Sequence, residues 1–318
     1  MRGSHSPPFR YYSFTAADSL LRELDAHTPT SSHPSANLVI HAMRGTKLLV
    51  LALRDRTAES FNTLSNFAGW YPCDQTLALR FPKPTPDDEP VNQTAKHMMT
   101  CLEDALAKRQ LNHWVVQPDT VMSARILVDS AKRLIKINPL SRFRTRDLRR
   151  LVAHEIDVHV IRAQNGQKQS LKCFSTGLPG SLGTEEGMAL IAEEIVGASS
   201  PGVLFRQVAV VKAIMTAKST GFREVFHSLI EAGHSPSLAW GICLRIKRGL
   251  AQPDLPGVYA KDSVYLSGRM RVRAWLDEGN DIAKLYVGKV SIDDPIDDWI
   301  EQGWVAMSHV PQMWRGPN

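Results

Sequence analysis

Apolar positions recur every three to four residues in several stretches of the chain, which predicts helices near Ala16 to Leu24, Thr57 to Phe67 and Asn92 to Leu111. The proline-rich loop Phe81-Pro82-Lys83-Pro84-Thr85-Pro86 separates the last two. The period then changes. Ala124-Arg125-Ile126-Leu127-Val128 and Arg133-Leu134-Ile135-Lys136-Ile137 alternate or run apolar around Asp129-Ser130-Ala131-Lys132, the pattern of a β-hairpin, which Asn138-Pro139 ends. The next helix opens at Thr145, where a hydroxyl cap and Asp147 in the first turn suit a helix start. A glycine-rich loop from Gly177 to Gly183 leads into a helix from Thr184, as cap, through Glu194. Further helices are predicted over Leu204 to Thr216, Phe222 to Ala232, Arg271 to Glu278 and Asp297 to Glu301. Clustered Ser, Pro, His and Thr make residues 1–36 a flexible tail around one short helix; 37–318 read as a single domain, with a helical part over 37–120 and a core over 121–318. No internal repeat is present.

Composition narrows this to an ordinary globular chain: 318 residues, of which 43% are hydrophobic, supply a normal core. No run approaches the roughly 18 uncharged apolar residues of a membrane span, and no secretory leader pattern opens the chain, so a cytoplasmic location without a membrane partner is the expectation. Met1-Arg2-Gly3-Ser4-His5 resembles the start of an expression tag. Cys73, Cys101, Cys173 and Cys243 are far apart and form no CxxC pair, which argues for free thiols rather than a disulfide framework or a cysteine-built zinc site. The net charge of +6 admits an acidic partner. Eight basic residues crowd between Lys132 and Arg150, as a solvated face or a steering surface for acidic peptides; no recognition motif for nucleic acid accompanies them.

The chemistry concentrates in His154-Glu155-Ile156-Asp157-Val158-His159. Peptide hydrolysis on zinc needs three protein ligands, an open position for water, and a carboxylate beside that water. His154 and His159 are candidate ligands and Glu155 the natural base. The usual pair is four residues apart, whereas these two are five apart and point about 140° from each other on a regular α-helix. Either a π-type bulge or a helix end between them must bring the rings together; otherwise they are a histidine pair with no metal. Downstream, Thr184-Glu185-Glu186-Gly187 offers two acids, one explained by the helix dipole and one left for a metal. Glu193 and Glu194 read as facing solvent or supporting the site from behind. Asp157 reads as a hydrogen-bond partner of a ligand histidine or as solvent-facing.

These blocks carry a resemblance. HEIDVH is similar to the HEIGTH motif of the tyrosine carboxypeptidase family, which also takes in bacterial QEGLA-motif proteins, and Thr184-Glu185-Glu186-Gly187-Met188-Ala189 to its EEGLA-like segment. Arg245-Ile246-Lys247-Arg248-Gly249 followed by Lys261-Asp262-Ser263-Val264-Tyr265 through Gly268 resembles the family's RG...TKD..Y..G pattern, and Leu285-Tyr286-Val287-Gly288-Lys289 its LxxGK segment. The ordered blocks span roughly Leu127 to Ile300. Asp157 and Val158 depart from them, replacing glycine and threonine.

The resemblance implies an α+β, zincin-like metallopeptidase, mainly helical, with a small sheet whose edge strand borders the zinc helix. His154, His159 and Glu186 would bind Zn2+, Glu186 being preferred to Glu185 because the family's earlier acid can be glutamine. Glu155 would be the general base, and Tyr265 would hydrogen-bond an oxyanion or the substrate carboxylate. Arg248 and Lys261, with Arg245, are the candidates for holding that carboxylate. The activity implied is removal of a C-terminal residue, an aromatic one being the specific candidate, from a peptide or protein with an acidic character. An endopeptidase or peptide-maturation protease on the same site, or a non-catalytic peptide-binding protein, are the alternatives. Nothing in the pattern specifies an oligomeric state.

Overall fold

The computed structural model describes residues 6–315 apart from 8, 86 and 123, so the tag-like opening lies outside the described residues. Tertiary contacts divide the chain into two compact units, each built from separate stretches: Met1–Lys83 with Gly202–Ser267, and Pro84–Pro201 with Gly268–Asn318. The described residues are mainly helical with two small sheets, an α+β composition as expected.

The first unit is helical throughout its described elements. The short early helix is present as Ala17–Ala26, and Ala58–Phe67 starts where Thr57 and Ser60 cap each other reciprocally. Three of its helices, Pro34–Asp55, Asp74–Ala78 and Pro236–Lys247, were not anticipated. Pro34–Asp55 runs for 22 residues out of the predicted tail, with the His33 side chain accepting from Ser35 N and proline in the first turn. By length and composition alone it is apolar enough to cross a membrane, a property that core helices of soluble proteins share, and Arg44 and Lys47 interrupt its apolar run. Its Ala52 packs in a cluster with Phe61, Leu64 and Leu250. The larger core gathers Ile214, Phe222, Val225, Phe226, Ile242 and Ile246 from the helices Val203–Ala217, Phe222–Glu231 and Pro236–Lys247. Beside it the buried Lys247 ammonium donates to the carbonyls of Thr220, Leu255 and Gly257 at 2.8, 2.9 and 2.8 Å, using all three of its donors.

In the second unit the predicted hairpin forms as Ile126–Asp129 against Leu134–Ile137, antiparallel, with Ile126 opposite Ile137. Val115–Pro118 adds in parallel on the other side of Leu134–Ile137, so Ile126–Asp129 is an edge strand. Ile135 and Ile137 alternate with half-exposed neighbours and are fully buried, the period-2 signature of a strand with one wet face. The edge strand packs beside the helix that carries the histidines.

That helix starts differently from expectation. Arg144 occupies the cap position, with its backbone N–H donating to Asp147 Oδ2 at 3.1 Å, while the Thr145 hydroxyl accepts from Gln93 instead. About half of the basic cluster before it is paired with carboxylates, Lys136 with Asp119 among them. Arg144 and Arg146 pair with Asp87, and Arg146 also pairs with Glu89. Arg125 and Arg150 reach Asp147 at 3.3 and 2.9 Å. The four cysteines are all free thiols.

Candidate metal centre

Thr145–Leu151 is α-helical, Val152–Val160 is π-helical, and Ile161–Gln167 returns to α. The widened turn between the two histidines is the bulge their spacing demands: with i to i+5 bonding, five residues complete little more than a turn. The rings of His154 and His159 consequently sit together, centroids 4.9 Å apart. Asp157 and Val158, which depart from the family motif, explain how the turn is held. Val158 is fully buried. The Asp157 carboxylate neither faces solvent nor touches a histidine; Arg109 grips it with two hydrogen bonds of 2.5 and 2.7 Å. Burial pushes the Asp157 carboxyl above the usual carboxylate range, with Arg109 opposing that shift. The Asp157 backbone carbonyl accepts from the Tyr286 hydroxyl at 2.8 Å, a partner from outside the helix at its irregular turn.

The second helix of the site runs Ser181–Ile195, beginning three residues earlier than expected. Thr184 is therefore not its cap; the Thr184 hydroxyl accepts from Ile292 N at 3.0 Å. Glu185 and Glu186 lie inside the helix and are buried, so the dipole argument for one of them falls away. Glu186 Oε2 lies 3.5 Å from His154 Nε2 and 3.8 Å from His159 Nε2. The ligand atoms of His154, Glu155 and His159 fall within 4.8 Å of one another. Ligands at about 2.0–2.1 Å around a tetrahedral ion are separated by roughly 3.3–3.5 Å, so two imidazole nitrogens and one carboxylate oxygen spaced this way suit zinc.

Each imidazole is held from behind. His154 Nδ1 lies 2.9 Å from Glu193 Oε1, and His159 Nδ1 lies 2.9 Å from Glu185 Oε1. A carboxylate can only accept, so His154 Nδ1 carries a proton toward Glu193; an imidazole that held a metal would do so through a deprotonated Nε2, the nitrogen that faces Glu186. Both supporting carboxylates are in turn paired with a cation: Glu193 with Arg150 at 2.8 Å, Glu185 with Lys289 at 3.2 Å. Burial favours neutral Glu185, but Lys289 and then His159 hold it far below the usual carboxylate range. Burial likewise opposes a charged His154, and hydrogen bonding to Glu186 and Glu193 overrides it, raising its pKa well above the ordinary histidine value.

The family described as microtubule-associated tyrosine carboxypeptidase (MATCAP) matches residues 73–318. The chain belongs to this family. Among curated relatives, "Microtubule-associated tyrosine carboxypeptidase 1" of Rattus norvegicus is 27% identical over 201 residues, covering 62% of this chain and 42% of the relative. The protein of the same name from Homo sapiens is 28% identical with the same coverages. The chain thus spans well under half the length of these relatives.

Within this member of the family, the matched blocks acquire physical reasons. A Cβ on Gly187 would meet the Gly268 backbone at 2.3 Å, and one on Gly268 would meet Gly183 O at 1.9 Å, so the acidic helix and the helix Val264–Asp277 approach backbone to backbone. The LxxGK segment is pinned by Arg162, which lies fully buried three residues beyond His159. Its guanidinium donates to the carbonyls of Leu285, Gly288 and Val290 and thereby sets where Lys289 stands.

Of the residues named from sequence, His154, Glu155, His159 and Glu186 come together; Glu185 turns out to support His159. Arg245, Arg248, Lys261 and Tyr265 belong to the first unit. There Arg245 and Arg248 both pair with buried Asp262, at 2.6 and 3.0 Å, and Arg248 also lies over the Tyr259 ring. Burial works against the Asp262 charge, yet the two arginines keep its pKa below the usual range. Glu193, read as solvent-facing or supporting the site from behind, supports His154, while Arg150 and Lys289 had been given no role at the site. Two had a local signal: Glu193 is seven residues, two turns, beyond Glu186 on an otherwise apolar helix, and Arg150 is one turn before His154.

Proposed function

We propose that this chain is a zinc-dependent carboxypeptidase removing a C-terminal residue, tyrosine foremost, from a peptide or protein chain. The observation that carries the reading is the approach of His154 Nε2 and His159 Nε2 to one oxygen of Glu186, in a family named for that activity. His154, His159 and Glu186 would hold the zinc. When bound, the ion supplies Lewis-acid polarisation of the scissile carbonyl and lowers the pKa of water. Glu155 is partly exposed beside the cluster and takes the proton from the attacking water, then returns it to the leaving amine. Glu193 and Glu185 hold the two imidazoles in one tautomer, which keeps their lone pairs on the metal side. The edge strand Ile126–Asp129 lies beside the histidine helix with one side unpaired in its sheet, and it suits an extended substrate adding as a further strand, the zincin-like arrangement.

The test is metal analysis of the purified protein, combined with mass spectrometry of peptides ending in tyrosine, phenylalanine and alanine. One zinc per chain and loss of a single terminal residue are expected. Glu155→Gln should keep its zinc and lose at least about 100-fold in rate. Zinc-loaded protein that leaves every peptide intact, or that cuts equally well as Glu155→Gln, overturns the reading; internal cuts replace it with an endopeptidase.

A further inference from the structure

The first unit contains a cavity of about 300 Å³. It is walled by the helices Val203–Ala217 and Phe222–Glu231 and by the Arg80-Phe81 segment. Phe81, Phe205, Val208 and Leu229 give it an apolar wall, and Arg80, Lys212 and His234 gather on its lining. No acidic residue is among the residues that line it.

Arg80 and Lys212 are exposed and His234 is half-buried, and none of the three pairs with a carboxylate among the described residues. Arg80 is steered by its own backbone, Nη1 donating to the carbonyls of Leu77 and Leu79 at 2.9 and 2.7 Å, which leaves its charge unneutralised. Burial and then Arg80 depress the Lys212 pKa; burial and then Lys212 and Lys83 depress that of His234. The His234 ring packs on Phe205 with centroids 5.0 Å apart, and its Nδ1 is buried without a hydrogen-bond partner among the described residues. Cations that destabilise one another around a concavity become favourable once an anion enters. Inorganic anions would satisfy the charges and waste the apolar wall. A volume at the small end of ligand pockets suits one ring with a short stem.

We propose that this cavity binds a small aromatic carboxylate, its carboxylate facing Arg80, Lys212 and His234 and its ring lying on Phe81, Phe205 and Leu229. The anion would accept charge-assisted hydrogen bonds that the protein itself leaves unfilled. The ligand could be a free aromatic acid or the end of a peptide that terminates in an aromatic residue; both present the same chemistry.

The experiment is calorimetric and saturation-transfer NMR titration of the full chain with 4-phenylbutyrate, and with 4-phenylbutanol as its neutral counterpart. The acid is expected to saturate and to bind at least about tenfold tighter than the alcohol. Lys212→Met and Arg80→Met should each weaken the acid and not the alcohol, while Lys212→Arg retains binding; unfolding curves show that the variants are folded. An N-acetylated tetrapeptide ending in phenylalanine is the second arm, counting only binding that Lys212→Met abolishes. If the peptide binds tighter, the source is a chain terminus; if the free acid does, it is a small molecule. Equal binding of acid and alcohol, acid binding that survives both Met variants, displacement of the acid by inorganic phosphate at equal concentration, or no saturation at millimolar concentration would each overturn the proposal.

Discussion

Replacing Lys289 by methionine removes the ammonium that stands 3.2 Å from Glu185 Oε1 while keeping most of the side-chain volume. The Glu185 side chain is 5% exposed and that of Lys289 13%, so water cannot take over the lost partner. At an effective dielectric constant near 20 the pair attracts by about 5 kcal/mol, and removing one member of a buried pair costs about 3–5 kcal/mol in measured cases. Arg162 and His159 still favour the Glu185 charge, which puts the expected loss near 3 kcal/mol. Because Glu185 also holds His159, zinc affinity should fall about 10- to 100-fold. Urea unfolding in the presence of a chelator measures the first effect free of metal, and competition against a chromophoric chelator measures the second. The double variant Lys289→Met/Glu185→Gln should recover most of the stability, since it leaves no unpaired buried charge, while the glutamine oxygen can still accept from His159. A loss below about 1 kcal/mol, or a double variant losing the sum of the two singles, would show that the pair is not the support described.

Three further outcomes are expected. Gly187→Ala puts a Cβ 2.3 Å from the Gly268 backbone and should destabilise by about 3 kcal/mol in urea unfolding; Gly183→Ala, whose Cβ meets nothing within 4 Å, should be neutral or gain up to about 1 kcal/mol. Arg109→Met leaves the Asp157 carboxylate buried without its cation, and should cost about 3–5 kcal/mol together with zinc affinity, since Asp157 lies in the π turn; unchanged affinity in a destabilised variant would limit Arg109 to a purely structural part. Asp294, pushed by burial to about 6, binds its proton more tightly in the folded state, so its contribution to stability is complete below about pH 4 and is lost as pH rises through about 6. Asp294→Asn should flatten that slope, visible in unfolding free energies measured between pH 4 and 7, and an unchanged slope would refute the assignment.

Local chemistry was enough for much of the framework. The alternation around Ile135 and Ile137 identifies the hairpin because a strand with one buried face has to repeat every two residues. For His154 and His159 to meet at one site, their five-residue interval called for a π-type bulge or a helix end between them, and a π-helix is there. Other elements lay beyond local reasoning. The helix Pro34–Asp55 escaped notice because its opening shares the serine and proline composition of the segment before it. Thr184 looks like a cap in sequence, yet Gly180 holds that position, since the hydroxyl is claimed by Ile292, 108 residues away. The roles of Glu185 and Glu186 could not be divided by spacing: adjacent residues on a helix differ by about 100°, and which direction meets the imidazole Nε2 atoms depends on how the two helices cross. The acidic helix is also fixed by the close approach of Gly187 to Gly268 on the helix Val264–Asp277, and the charge that keeps Glu185 ionised comes from Lys289, more than 100 residues downstream. The residue types able to hold a metal are thus determined by the chain's own sequence, whereas which oxygen faces the imidazole Nε2 atoms and which holds a histidine in place is decided by long-range packing, because electrostatic partners in a buried site are neighbours in space and not along the chain.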